Sequence, residues 1–184
     1  MFDYIIVGAG SAGCLLANRL SANPAIRVCL IEAGPRDGFL IRNCNPLNML
    51  ALMKSRTYNW GYSAEPQART GNRRFFWPRG RALGGSSSIN AMIYTRGHPS
   101  DYDQWAARGN PGWDYQSVLP YFRCSERQQR GADAWHGAEG TMDVVDTNFR
   151  FPASSAFVQA CGEAGLPLNN DMNGAQQEGC GFVQ

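Results

Sequence analysis

The chain is 184 residues long, 43% hydrophobic and 17% charged, with a formal net charge of +2. Those proportions suit a globular fold and exclude the strong basic excess that would draw nucleic acid or an anionic membrane. No stretch approaches the roughly 18 consecutive apolar residues of a membrane span.

The first residues run straight into an apolar segment, with no basic-plus-apolar leader before it. Tyr4–Val7 carries no charge and predicts a parallel strand buried on both faces. The glycines after it have separate physical duties. Gly8 permits a tight turn out of the strand, Gly10 leaves room for a pyrophosphate against the backbone, and Gly13 lets the next helix pack close. That helix is expected over about Ser11–Leu20, with Cys14, Leu15, Leu16, Ala17 and Leu20 at mixed three- and four-residue spacing. Free amides in its first turn, at Ser11, Ala12 and Gly13, and its positive dipole end would face the phosphates. A second apolar strand, Arg27–Ile31, leads into Glu32 and Ala33. Glu32 lies 19 residues past Gly13, where a carboxylate accepts hydrogen bonds from ribose hydroxyls. An acid there repels a 2′-phosphate, so FAD or NAD is favoured over NADP. Strand, glycines, helix, strand and acid, in that order within about 30 residues, form the pattern of a dinucleotide-binding unit.

Residues 35–78 read as an excursion from that unit, with a short helix expected over Leu47–Lys54. Arg73, Arg74, Arg79 and Arg81 form the basic cluster of the chain. Arg81 is expected near the cofactor, and Arg73 and Arg74 in water. Gly80, Gly84 and Gly85, followed by Ser86, Ser87 and Ser88, predict a loop with exposed amides and small hydroxyls that can approach a flat ring. A nicotinamide cofactor explains Gly8 to Glu32 equally well but leaves this second segment without a purpose. A flavin uses both.

The stretch Gly80-Arg81-Ala82-Leu83-Gly84-Gly85-Ser86-Ser87-Ser88-Ile89-Asn90, with Tyr94, Gly97 and Asp103 beyond it, resembles the signature of the glucose–methanol–choline (GMC) oxidoreductases. The likeness extends to Asn59-Trp60-Gly61-Tyr62, Pro99 to Trp105, Gly112-Trp113, Val118 to Phe122 and His136-Gly137-Ala138-Glu139-Gly140. It covers essentially the whole chain and leans toward the choline-dehydrogenase-like branch. Two departures are visible: Cys124 stands where a lysine is common, and Thr141-Met142 where Pro-Leu is frequent. The resemblance implies an α/β fold, a Rossmann-like FAD-binding domain that is incomplete here, with the start of an α+β substrate-binding domain. It implies FAD as cofactor, with Gly8, Gly10, Ser11, Ala12 and Gly13 on the pyrophosphate and Glu32, beside Ala33, on the adenosine ribose. Trp60 and Gly80, Arg81 and Leu83 would line the cofactor channel, with Gly84, Gly85 and Ser86 continuing it. Asn90, Ala91, Met92 and Ile93 would pass beside the isoalloxazine. Some relatives attach FAD through a histidine just before the asparagine. Ile89 holds that position, so non-covalent FAD is expected.

Downstream, helices are expected over Asp101–Arg108 and Gln116–Glu126, with Tyr102, Trp105, Val118, Leu119 and Phe122 on apolar faces that build core rather than a ligand box. Met142–Val145 predicts a strand and Ala153–Ala164 a helix. The expected division is an FAD-binding portion over 1–144 and the beginning of a substrate-binding domain over 145–184. Two clear parallel strands make a poor sheet by themselves, so the chain alone is expected to be marginally stable, with sheet edges open to aggregation. The six cysteines include no Cys-x-x-Cys pair, which argues for a reducing, cytoplasmic setting and against a disulfide framework or a zinc site.

The resemblance also implies a catalytic His–His or His–Asn pair near the far C-terminus of a much longer chain. The two histidines present do not match it. His98 reads as a locally hydrogen-bonded loop residue and His136 as part of a structural turn, so no catalytic residue is assigned. The implied activity is oxidation of the CH–OH group of a small-molecule alcohol, with this chain as the cofactor-binding front of the enzyme. The alternatives are a catalytically inactive nucleotide-binding fragment and a flavin-dependent lyase of the same family. Nothing in the residues selects which alcohol, which electron acceptor (oxygen, a quinone or another carrier) or which oligomeric state.

Overall fold

A computed structural model describes residues 1–36 and 46–184, which gather into two units, Met1–Met92 and Ile93–Gln184. In the first unit the expected strand–helix–strand forms. β1 (Tyr4–Val7) pairs in parallel with β2 (Val28–Ile31), in the register Tyr4↔Val28 to Val7↔Ile31. The crossover is α1 (Ser11–Leu20). Gly13 makes the close packing possible, because a Cβ there would overlap the Gly8 carbonyl oxygen and press on the Ile6 side chain. Gly8 itself turns at φ +95, a region that favours glycine.

The expectation that β1 is buried on both faces is corrected. Ile5 is 64% and Val7 83% exposed, because this sheet has two strands among the described residues and nothing there covers its second face. The excursion at 35–78 lies partly outside the described residues, as does Cys44. Its helix is present as α2 (Pro46–Lys54). The chain then folds back on itself. Tyr58 to Ser63 runs antiparallel to Phe75 through Arg81, with β3 (Tyr62–Ser63) against β4 (Phe76–Trp77). The ladder continues through Trp60 N–H to the Arg79 carbonyl at 2.9 Å and Arg81 N–H to the Tyr58 carbonyl at 2.8 Å. A 3₁₀ turn at Ala68–Thr70 reverses the direction, closed by Gly71 at φ +64.

The second unit begins with two helices. α3 (Pro99–Ala107) starts two residues before its expected position because His98 caps it. The His98 ring accepts from Ser100 N–H, the Asp101 carboxylate accepts from His98 N–H, and Pro99 fills the first helical position. α4 (Tyr115–Ser125) is capped by Asp114, which accepts from both the amide and the hydroxyl of Ser117. Between them Tyr102 meets Trp105, Tyr115 and Phe122 at ring-centroid distances of 5.6, 5.9 and 5.8 Å. Tyr102 and Phe122 pack here as expected, whereas Trp105, expected to build core, is 47% exposed. α4 ends where Glu126 turns extended and opens β5 (Glu126–Gln128), paired in parallel with β6 (Met142–Val144). The strand β5 is unanticipated by sequence, since Glu-Arg-Gln has neither alternation nor β-branched residues. α5 (Pro152–Glu163) follows, with Pro152 at its first turn.

Candidate functional site

The two glycine-rich segments meet in the first unit. Gly84 N–H donates to the Ala9 carbonyl at 2.7 Å, and Gly10 and Gly84 form an isolated parallel bridge. A Cβ on Gly85 would approach Gly10 Cα at 2.9 Å, so this contact needs glycine. Gly84 and Gly85 both hold positive φ, +88 and +57, and launch the 3₁₀ turn Gly85–Ser88. Ser11 Oγ reaches Ser87 Oγ at 3.3 Å.

Around this junction stands an open cradle. The first helical bond of α1 runs from Cys14 N–H to the Gly10 carbonyl, so the amides of Ser11, Ala12 and Gly13 precede it and have no acceptor among the described residues. At Gly10 nothing lies within 4 Å of where a Cβ would be. An empty space lined by the amides and positive end of a helix is what a pyrophosphate requires. The serine hydroxyls are used differently from expectation. Ser86 Oγ accepts from Gly80 N–H at 3.1 Å, Ser87 Oγ donates to the Gly84 carbonyl at 2.5 Å and Ser88 Oγ to the Leu83 carbonyl at 2.6 Å. They brace the loop from within.

Glu32 sits just past β2 and faces back to the cradle. One carboxylate oxygen accepts from Ala9 N–H at 2.8 Å, the other from Gly34 N–H at 2.9 Å. Each oxygen keeps a second lone pair for a ribose hydroxyl. Ala33 is exposed between them. The side chain of Arg81 is tied to the protein: Nε donates to the Thr57 carbonyl, Nη2 to the Arg56 carbonyl, and the guanidinium lies over Trp60 at 5.4 Å. Trp60 is stacked on Tyr62 and 44% exposed. Arg73 and Arg74 are exposed, as expected, Arg74 at 3.7 Å from Glu65.

A residue quoted only as part of a motif organises this region. Asn59 is buried and uses both ends of its amide. Nδ2 donates to the Met53 carbonyl, and Oδ1 accepts from Gly61 N–H and Arg79 N–H. It thereby sets the strand that delivers Gly80. The signal that marks it is an asparagine inside an otherwise aromatic motif. Ile89, at the position where some relatives carry a histidine, is buried. Beyond it Asn90 Oδ1 accepts from Met92 N–H at 2.9 Å, and Met92 takes a left-handed φ of +57. Backbone strain of this kind is uncommon outside glycine and concentrates at functional sites. Ala91 and Ile93 have no hydrogen bond among the described residues, and Ile93 opens the second unit.

Neither histidine is arranged for catalysis. His98 is a helix cap. His136 is buried, with Nδ1 at 2.8 Å from Glu126 and Nε2 at 2.9 Å from Asp171. Burial opposes its charge, but the hydrogen bonds to the two carboxylates outweigh that and hold its pKa above the ordinary imidazole value. Among the described residues there is no cluster fit to hold a metal, and no helix is long and apolar enough to cross a membrane.

A βαβ unit whose phosphate loop is closed by a second glycine-rich turn has the architecture of the FAD-binding oxidoreductases. The sequence profile described as GMC oxidoreductase matches residues 2–184, and the chain belongs to that family. It is 50% identical over its whole length to an alcohol dehydrogenase [acceptor] of Pseudomonas putida, of which it covers 33%. It is 44% identical over 99% of its length to the mitochondrial choline dehydrogenase of Mus musculus, covering 32% of that protein. Among solved structures, pyridoxine 4-oxidase from Mesorbium loti superposes with a TM-score of 0.86 at 41% identity, over 97% of this chain and 35% of that one. An FAD-dependent oxidoreductase from Chaetomium thermophilum gives 0.80 at 34% identity, over 97% and 32%. The chain thus spans about a third of the length of these relatives.

Proposed function

We propose that this chain is the FAD-binding front of a GMC oxidoreductase that oxidises the CH–OH group of a small-molecule alcohol. The single observation that carries the reading is the junction of Ala9–Gly10 with Gly84–Gly85 beside the unpaired first turn of α1. When bound, FAD supplies the hydride acceptor. In this reading the amides of Ser11, Ala12 and Gly13 hold the pyrophosphate, with Gly8 and Gly10 keeping side chains out of its way. Glu32 orients the adenosine ribose, with Ala33 beside it. Trp60, Gly80, Arg81, Leu83, Gly84, Gly85 and Ser86 wall the channel, Arg81 by stiffening it from behind. Asn90, Ala91, Met92 and Ile93 present backbone to the flavin edge.

FAD is held without a covalent link, since Ile89 has no atom that can form one. Residues 1–144 belong to the FAD-binding domain and 145–184 begin the substrate-binding domain. The absence of a Cys-x-x-Cys pair from the six cysteines of the sequence supports a reducing compartment such as the cytoplasm. The alcohol dehydrogenase and choline dehydrogenase among the relatives support an alcohol substrate.

The test is an absorbance spectrum of the purified full chain after incubation with FAD and desalting. Flavin bands that stay with the folded protein, and leave it on acid precipitation, are expected. Flavin retention unchanged by Gly10→Val overturns the cradle assignment, and flavin that precipitates with the protein overturns the non-covalent one.

A further inference from the structure

The second unit buries a chain of charges that the cofactor reading does not use. Arg96 Nη2 pairs with Glu126 Oε2, Glu126 Oε1 faces His136 Nδ1 at 2.8 Å, and His136 Nε2 faces Asp171 Oδ2 at 2.9 Å. Arg96 is 5%, Glu126 0% and His136 3% exposed. The four residues come from four separate stretches: the segment after Ile93, β5, the loop between β5 and β6, and the loop near the C-terminus. Asp171 belongs to a segment fastened elsewhere by hydrogen bonds between side chains and backbone, among them Arg130 Nη1 to the Asn170 carbonyl at 2.8 Å. Asn173 Oδ1 accepts from Arg96 N–H at 2.8 Å, Asn173 Nδ2 donates to the Tyr94 carbonyl, and Gln177 Nε2 donates to the Arg96 carbonyl at 2.8 Å. The 169–178 loop is therefore one strap on the Tyr94–Gly97 segment, whose ends are also held by Tyr94 N–H to the Gln184 carbonyl at 2.7 Å and Gly97 N–H to the Tyr102 hydroxyl at 3.2 Å.

Imidazole chemistry dictates what happens at the centre of this chain. A carboxylate is an acceptor only, so a ring with a carboxylate on each nitrogen must carry a proton on both. The neutral ring has one proton to give. Glu126 is wholly buried and already accepts from Gln128 Nε2 at 3.1 Å, whereas Asp171 is partly exposed and can turn to water. Loss of the proton leaves the Nε2 lone pair against Asp171 Oδ2, and Asp171, whose Oδ1 accepts from Asn173 N–H at 3.2 Å within the same loop, is the partner that can move away with that loop. We propose that His136 is a positioning residue whose protonated ring, bridging Glu126 and Asp171, latches the 169–178 loop onto Tyr94–Gly97, and that deprotonation releases the loop. Because Tyr94 follows Ile93 directly, the release would also loosen the flavin-edge segment, a consequence that rests on the reading of Asn90 to Ile93 given above.

The direction with pH follows from the geometry. A raised pKa in the folded state means that the latch is fully engaged below the ordinary imidazole value and is lost as pH rises through the folded value. Glu126 and Asp171 are the charges on the ring itself, and further titratable and charged groups stand around them and around the His136 backbone. Asp133 accepts from His136 N–H at 2.7 Å, Arg123 of α4 lies near Asp133, Arg130 beyond β5 lies near Asp171, and Tyr94 and Tyr115 surround Arg96. Asp133 favours the imidazolium, Arg123 and Arg130 offset the charges of Asp133 and Asp171, and Arg96 neutralises Glu126.

The experiment is hydrogen–deuterium exchange of the full chain from neutral to alkaline pH, corrected for intrinsic base catalysis, alongside an NMR titration of the His136 ring. Peptides covering 169–178 should lose protection by on the order of tenfold as the ring deprotonates, while those of α5 should not. In Asp171→Asn the side-chain amide can donate to the neutral ring, so protection should persist to higher pH. Loop protection that ignores the ring's titration, or an Asp171→Asn loop that opens at the wild-type pH, overturns the latch. If that variant does not fold, the wild-type ring still decides: a neutral tautomer below the ordinary imidazole value overturns the proposal. Flavin retention, followed in parallel, should fall with the loop. Retention that stays flat while the loop opens upholds the latch and overturns the flavin-edge reading.

Discussion

Gly10 and Gly13 lie three positions apart and are glycines for different reasons. At Gly13 a Cβ would strike the Gly8 carbonyl, so Gly13→Ala should unfold the first unit. At Gly10 there is open space and an extended backbone, φ −75 and ψ −173, that other residues accept. Gly10→Val should therefore leave the circular dichroism unchanged and abolish flavin retention, which a desalting assay of both variants would separate. Glu32 has a third kind of duty. It fastens Ala9 and Gly34 as well as serving a ribose, so Glu32→Ala removes charge-assisted bonds worth about 1.5–3 kcal/mol each. FAD affinity measured by flavin fluorescence should drop about tenfold or more. A Glu32→Ala protein with unchanged affinity would show that the carboxylate is only a brace.

At the scale of elements, the turn His136-Gly-Ala-Glu-Gly140 shows why a motif recurs. A Cβ at Gly137 would overlap the Arg123 carbonyl, and one at Gly140 would overlap the Ser125–Glu126 peptide, so the turn is wedged against the end of α4 and aims His136 at Glu126. Removing one partner of this chain leaves a buried charge unmatched. Arg96→Met should destabilise the second unit by about 3–5 kcal/mol, read from its chemical denaturation midpoint. Sequence made the local devices legible: the glycines of the first loop, the acid after β2, the proline-led helices. It did not reveal β5, whose three polar residues are held by pairing with β6 and by the charges they meet. Nor did it reveal the partners of His136, which lie 10 and 35 positions away and carry no local period. The cradle was half legible. Both glycine segments were visible, but their joining by Gly84 N–H and the inward turn of the serine hydroxyls depend on tertiary geometry.

For the molecule as a whole, exposed apolar side chains set behaviour in solution. Ile5, Val7, Leu15 and Leu16 lie open on the first unit, and Phe149, Phe151 and Phe157 on the second, each more than half exposed. Surface of this kind drives association, and the two-stranded sheet adds open edges. Light scattering should show mass rising with concentration, and a monomer at all concentrations would contradict it. The bond from Gly84 to Ala9 has a bearing on how the chain comes to fold. It closes a loop of 75 residues, whereas β1, α1 and β2 are neighbours along the chain. The strand–helix–strand can assemble early, but its phosphate cradle is finished only when the far segment arrives, and long-range closure of this sort is slow. Flavin capture would then mark a late event in folding, and damage between residues 61 and 78 could abolish it without touching a single cofactor contact.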